Sequence, residues 1–329
     1  MNNIFNNIPN FTKTIYSIPF PITKSTLKDV LRDELFLHNY EETWTKKQDK
    51  LHQPFFNTFA QWVSPRLICD FSSYKYQYPT NGSSEAIREQ ICYLHSLGKR
   101  LVVFDSEYEG YISIANSIGM PIIKINRFQS FYKLEKQIKL LNADTDIFFI
   151  SEPSSIDGNS WNYFDLFMNL TEKLNIKVYI DIAYIGMFNF SKKINLNYSN
   201  IDGIFFSLSK IFGVYYHRIG GVFLKDSNPL LFGNIWFKNI LSIHYGISLM
   251  NNTKIGFFDN QLKEIQQKII LNLQNQYGIE FVASDVFLII NTQYNDNDHP
   301  WQKEYQRSAL NKKLRLCISA LIENELKHI

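Results

Sequence analysis

From about residue 80 onward, apolar positions fall into two alternating rhythms. Residues 84–97 carry Ile87, Ile91 and Leu94 at helical spacing and end at Gly98, a residue suited to the left-handed turn that closes a helix. A short apolar run at 101–104 follows, then a helical stretch at 109–118 stopped by Gly119, and strand-like residues at 121–125. The alternation continues with a helix at 131–141, a strand at 146–151, a helix at 164–174 and a strand at 177–181, then two further strands at 203–207 and 220–224. Strands that are apolar throughout, separated by amphipathic helices, predict a mostly parallel sheet covered on both faces.

Either side of this region the rhythm changes. Residues 1–60 are polar and aromatic and carry Pro9, Pro19, Pro21 and Pro54, which predicts an irregular arm with one helix at 26–36. Beyond Leu224 come a long amphipathic helix at 257–274, a strand at 286–290, a polar linker at 291–300, a strand at 314–319 and a last helix at 320–328. The expected fold class is α/β: a three-layer, mostly parallel sheet with a small C-terminal α+β domain. The expected divisions are an arm and part of the small domain at 1–60, a large domain at 61–245 and a shortened small domain at 246–329.

Composition narrows the function classes. A chain of 329 residues can bury a large core, and 45% apolar with 20% charged residues is ordinary globular usage. A net charge of +3 is too small to argue for nucleic acid or an anionic membrane. Cys69, Cys92 and Cys317 are scattered, without disulfide or zinc spacing, which favours a reducing compartment and no bound metal. No run of 18 apolar residues and no signal-peptide pattern occurs, so a cytoplasmic, soluble protein is expected. Dinucleotide, nucleotide and zinc-protease motifs are missing.

Four segments carry candidate chemistry at strand or helix ends, where open α/β sheets place ligands. Gly82, Ser83 and Ser84 open the first regular helix and combine free amides, hydroxyls and a positive dipole end, which suits a phosphate. Asp181 ends a buried strand and can face a cationic nitrogen, with Tyr184 close behind. Lys210, preceded by Ser207 and Ser209 and followed by Arg218, can supply a nucleophilic amine beside a phosphate clamp. Arg315, in an alternating strand, can present a planar fork to a carboxylate. Taken singly, each has a plainer reading: a serine N-cap, a capping aspartate, a surface lysine and a solvated edge arginine.

Their order along the chain resembles the fold-type I pyridoxal-phosphate enzymes, most closely the class I/II aminotransferase branch with its aspartate aminotransferase-like fold. The resemblance covers roughly residues 78–224 and the Arg315 segment. It implies that Gly82, Ser83, Ser84, Ser207, Ser209 and Arg218 hold the phosphate of pyridoxal 5′-phosphate. Tyr108, in the Ser106–Tyr111 segment, would stack on its ring, Asp181 would face the ring nitrogen and Tyr184 the ring oxygen. Lys210 would carry the cofactor as a Schiff base and act as general base, and Arg315 would take the substrate α-carboxylate. Where the family usually has Asn-Pro-x-Gly, this chain reads Ser151-Glu152-Pro153-Ser154-Ser155, so Ser155 or Asn159 would replace the asparagine, and Glu152 faces either the cofactor or solvent. His217 and His244 are more readily packed or solvated side chains than ligands.

The implied activity is an aminotransferase acting on an α-amino acid or related amine, with a keto-acid partner. A decarboxylase, or a lyase or synthase of specialised metabolism, is the alternative, and a cofactor-binding scaffold without turnover a third. The resemblance further implies a homodimer, with Tyr74, Tyr76 or Tyr78 as the residue reaching a neighbour's phosphate.

Overall fold

The computed structural model describes residues 11–16, 18–34, 36–38, 51–189, 193–294, 301–307 and 312–327. Its centre is a seven-stranded sheet of β2 (Tyr76–Thr80), β3 (Arg100–Phe104), β4 (Ile122–Ile125), β5 (Asp146–Ser151), β6 (Val178–Asp181), β8 (Ile201–Ser207) and β9 (Gly220–Leu224), in the order β2-β9-β8-β6-β5-β3-β4. Only β9 runs against the others. β5, β6, β8 and β9 are buried along their whole length, which is why each is apolar at nearly every position rather than at alternate ones.

Helices cover both faces. On one lie α3 (Ser83–Ser96) and α4 (Glu109–Ser117), whose Ile87, Ile91, Tyr111 and Ala115 meet Phe149, Tyr179 and Phe205 of the sheet. On the other lie α2 (His52–Val63) and α6 (Phe164–Lys173), with α5 (Phe131–Ile138) packed beside α6. Phe59 stacks on Phe206 at 3.7 Å between ring centroids, and Phe56 sits edge-on to Phe223 at 5.0 Å. Each fully buried phenylalanine contributes about 1.5–3 kcal/mol, so this aromatic layer is a major part of the core.

The expectation of an irregular 1–60 segment is corrected here. α1 spans Pro21–Val30 and ends before the predicted helix does, residues 34 and 36–38 are helical as well, and α2 is a further, regular helix. Its aromatic residues carry a helical period that the neighbouring prolines and polar residues disguise. A two-stranded parallel pair, β1 (Leu67–Ile68) with β7 (Ile194–Asn195), lies outside the main sheet.

Past β9 come α8 (Ile240–Asn252), which the apolar pattern did not mark, and α9 (Asp259–Tyr277). A three-stranded antiparallel sheet follows, β10 (Val282–Ala283), β11 (Ile289–Gln293) and β12 (Lys313–Cys317), with α10 (Gln302–Tyr305) before β12 and α11 (Ser319–Leu326) after it. β11 begins three residues later than the predicted strand. Most of the predicted polar linker, residues 295–300, lies outside the described residues. No helix among the described residues is long and apolar enough to cross a membrane.

Candidate active site

The carboxyl ends of β5, β6 and β8 and the loop from β2 into α3 meet at one edge of the large sheet. At that edge Gly82 takes φ +77°, open to glycine at little cost, and precedes α3 without a capping side chain, so the helix's first amides stay free. A Cβ on Gly82 would lie 3.1 Å from Arg218 Nη2 and 3.4 Å from Ser207 Oγ. A Cβ on Gly220 would strike the Gly82 Cα at 2.7 Å. Both glycines therefore keep a small cradle open between a helix N-terminus, a hydroxyl and a guanidinium. Arg218 Nη2 donates to the Asn81 carbonyl at 2.7 Å. Ser207 Oγ accepts from the Ser209 amide at 3.2 Å, while the buried Ser209 hydroxyl has no partner among the described residues. Free amides, an orphaned hydroxyl and a guanidinium resting on a backbone carbonyl fit a phosphate. Ser83 is buried at the same helix start, and Ser84 is exposed.

Asp181 closes β6 and is buried; its carboxylate accepts from the Ala183 amide at 3.1 Å. Burial pushes its pKa up to about 7, reinforced by the nearby Glu107 carboxylate and opposed by the Ala183 amide, Lys210 and Ser83. Lys210 follows β8 on the short helix α7 (Ser209–Phe212) and donates to the Ile15 carbonyl at 2.6 Å. Burial lowers its amine to about 8; Arg315 and Arg218 push the same way, and Cys317 and Asp181 push back. One amine thus feels the acid, the phosphate-side arginine and the β12 arginine together. Tyr184 is buried, its hydroxyl raised mainly by desolvation and lowered by Arg315. Tyr108 precedes α4, with its ring folded over Gly110 and edge-on to Tyr111 at 5.3 Å.

Ser155 sits behind this group. Its amide donates to Ser151 Oγ at 2.6 Å, and its hydroxyl and that of Ser151 both donate to Glu107 Oε1. Glu107 is 1% exposed, and its other carboxylate oxygen has no partner among the described residues. The Ser155 carbonyl accepts from Arg315 Nη1 at 2.7 Å and from Arg307 Nη1 at 3.0 Å. Arg315 is buried on β12, so it is no solvated edge residue: the arm covers β12 through Thr12, whose amide donates to the Cys317 carbonyl at 3.1 Å.

Lys210, Asp181, Tyr184, Arg218, Arg315, Ser155 and the Gly82 cradle are brought to one region; Tyr108 lies at its side, and Ser84 faces outward. Glu152 turns out to face neither solvent nor this group. It is buried, accepts from the Trp161 amide at 3.2 Å and has its carboxyl pushed up to about 8 by burial, against the pull of Arg127. Asn159 is tied instead to Asp157 and Asp285. His217 packs edge-on to Tyr245 and His244 stacks on Phe36, as expected of packed histidines. Of the three candidate tyrosines only Tyr76 is exposed; Tyr74 and Tyr78 are core residues.

Three participants were not singled out in the sequence. Glu107 had a signal, an acid immediately before the aromatic at a strand end. Arg307 lies in a polar stretch without periodicity, and the Ile15 carbonyl is backbone, so neither had one.

The family model for aminotransferase class I and II matches residues 24–323. Among solved structures, the chain is similar to the PLP-bound C-S lyase from Staphylococcus hominis, with 12% identity over 89% of this chain and 86% of that one and a TM-score of 0.68. It is similar to an aspartate aminotransferase from Thermotoga maritima, with 15% identity over 95% and 91% and a TM-score of 0.68. It is also similar to the L-threonine-O-3-phosphate decarboxylase from Porphyromonas gingivalis, with 14% identity over 98% and 99% and a TM-score of 0.65. At such identities these likenesses establish the fold, that of the aspartate aminotransferase-like enzymes. No curated protein sequence matches the chain.

Proposed function

Since the chain belongs to the class I and II aminotransferase family, whose cofactor is pyridoxal phosphate, we propose that it is an aminotransferase moving an amino group from an α-amino acid or related amine to a keto acid. The observation that carries this reading is the meeting of Lys210 with Asp181, Arg218 and Arg315 at one sheet edge, beside the Gly82 cradle. When bound, the cofactor supplies an electron sink for the substrate Cα. Gly82, Ser83, Ser207, Ser209 and Arg218 would hold its phosphate, with Ser84 at the margin, and Asp181 would keep a proton at the ring nitrogen. Tyr184 would face the ring oxygen, with Ser155 behind it on Glu107, and Tyr108 would cover the ring. Lys210 would attach the cofactor and move the Cα proton. Arg315 would orient the α-carboxylate, its guanidinium held in place by the Ser155 and Lys13 carbonyls.

The test is to incubate the purified chain with pyridoxal phosphate, a panel of amino acids and 2-oxoglutarate, and identify products by mass spectrometry. The expected outcome is glutamate together with the keto acid of one donor. A second reading, decarboxylation or carbon–heteroatom bond cleavage, is favoured by one observation: Ser155 stands where the asparagine is usual and is bound to a buried glutamate. Carbon dioxide or an elimination product without glutamate would replace the first reading with this one.

We also propose that two copies pair. Tyr216 and Phe237 are 91% and 88% exposed close to the Arg218 cradle, with Trp236 and Phe232 beside them, and such an apolar patch favours a partner surface. Light scattering should give twice 38.7 kDa; a monomer at micromolar concentration would argue against pairing.

A further inference from the structure

Glu152 takes no part in the Lys210 group, yet it is 2% exposed in the wall of a second cavity. This cavity has a volume of about 380 Å³ and is lined among others by Glu152, Trp161, Asp165, Asn189, Lys193 and Asp285. It forms where the loop after β5, the first turn of α6, the segment before β7 and the turn before β11 come together. Its described lining shares no residue with the cleft that holds Arg315. Three carboxylates stand there against one ammonium, that of the exposed Lys193. Glu152 Oε1 accepts from the Trp161 amide at 3.2 Å, and Oε2 has no hydrogen-bond partner among the described residues. Asp285 Oδ2 accepts from the Ser160 amide at 2.9 Å, and Asp165 Oδ1 from the Tyr198 hydroxyl at 3.3 Å. Among the described residues neither Glu152 nor Asp285 has an ion-pair partner. The cation that acts on Glu152 is Arg127, which lies 4.9 Å from the centroid of the Trp161 ring and does not reach the acid.

Carboxylates taken out of water without a cation are costly, so they hold protons until a cation arrives. Burial pushes Glu152 up to about 8; Asp157 and Glu107 add to the rise, and Arg127 and the Trp161 amide oppose it. Burial raises Asp285 as well, helped by Asp157 and opposed by the Ser160 amide. Among the described residues no three acidic, histidine or cysteine side chains converge closely enough to hold a metal ion. A cavity of this size takes a molecule rather than a bare ion. The chemistry that fits is an organic ammonium, whose N–H groups can reach separate carboxylates while its carbon body lies along Trp161.

We propose that this cavity binds an organic ammonium ion, with Glu152 and Asp285 as its acceptors and Trp161 as its apolar wall. The site would hold its ligand whatever reaction Lys210 performs.

Two probes of nearly the same shape test it on the full chain loaded with pyridoxal phosphate. Piperidine is protonated at neutral pH and, as a secondary amine, forms no neutral Schiff base with the cofactor; tetrahydropyran is its uncharged ether counterpart. Calorimetric titration should show piperidinium binding about 10- to 100-fold more tightly than tetrahydropyran, as a charge-assisted pair requires. Glu152→Gln, which keeps an oxygen for the Trp161 amide, should remove most of that preference, and Asp285→Asn part of it. Because the cation needs the ionised carboxylate, piperidinium binding should release protons at pH 7 and tighten by about 10-fold between pH 7 and 9, then level. Glu152→Gln should flatten that rise. Thermal unfolding checks that the variants are folded; should Glu152→Gln not fold, Asp285→Asn and the pH dependence of the wild type carry the test. Equal binding of the two probes would overturn the inference, as would a preference that survives in both variants. Piperidinium binding that disappears in Lys210→Ala, or that shifts the cofactor absorbance, would place the cation at the Lys210 group and overturn it too.

Discussion

Lys210→Ala is expected to lower turnover by a factor of about 10⁴ or more, since it removes a nucleophile and a general base that is itself worth about 10²–10⁴. The environment of the amine supports that size. An ordinary lysine at pH 7 is almost wholly protonated and inert. Burial brings Lys210 to about 8, so roughly a tenth of the amine is neutral at pH 7, an increase of about 300-fold over an amine at 10.5. Capture of the cofactor aldehyde should accordingly speed up as pH rises toward 8 and then level. The direct check is reduction with borohydride followed by dialysis: the wild-type chain should keep the cofactor covalently, and Lys210→Ala should lose it. Arginine at this position keeps the charge but offers no neutral amine, so Lys210→Arg should be as inactive as the alanine variant. Truncation frees only the Ile15 carbonyl, so thermal unfolding should show both variants folded. Near wild-type turnover in Lys210→Ala would remove the lysine from the chemistry.

Asp181→Asn is expected to lower turnover about 10²–10⁴-fold, through loss of the buried carboxylate that would hold a proton at the ring nitrogen. A second readout separates this role from a structural one. In the cofactor-free chain the Asp181 carboxyl is held up to about 7, mainly by burial, against an ordinary value of 3.8. A raised acid binds its proton more tightly in the folded than in the unfolded chain. Between about pH 4 and 7 the unfolded chain has released that proton while the folded chain keeps it. Stability contributed by this group is therefore present at low pH and falls as pH rises through that window, by roughly 4 kcal/mol at most. Glu152, pushed up to about 8 by burial, adds a loss of the same sign up to pH 8. Asp181→Asn should flatten the fall below pH 7 and leave the Glu152 part in place, as read from urea unfolding at several pH values. A variant that loses activity with the same pH profile of stability as the wild type would mean that Asp181 is not the titrating group assumed here.

The elements most legible in the sequence are those whose environment is uniform. β5, Asp146–Ser151, is buried on both faces, and its sequence is correspondingly apolar. α3 buries one face, and Ile87, Ile91 and Leu94 mark it at helical spacing. Elements whose burial comes from scattered partners were obscured. α2 buries Phe55, Phe56 and Phe59 against β8 and β9, strands more than 140 residues away, and nothing local says that those strands will be there. The arm is a stronger case, since its Lys13 and Ile15 carbonyls bond to Arg315 and Lys210 through backbone atoms that any side chain would supply.

By itself the sequence determined which residue types stand at strand and helix ends: a glycine-serine helix start, a strand-terminal aspartate and a lysine between serines and an arginine. Residue type and local spacing decide those features, because amide exposure at a helix start and burial of an all-apolar strand depend on near neighbours. Only the tertiary structure decided which of these ends meet. It set Glu107 behind Ser155 and aimed Arg307 at the carbonyl that Arg315 uses. It also turned Glu152 away toward Trp161. Those outcomes depend on how strands from distant parts of the chain register against one another, and through-space desolvation and charge act on that register, not on distance along the chain.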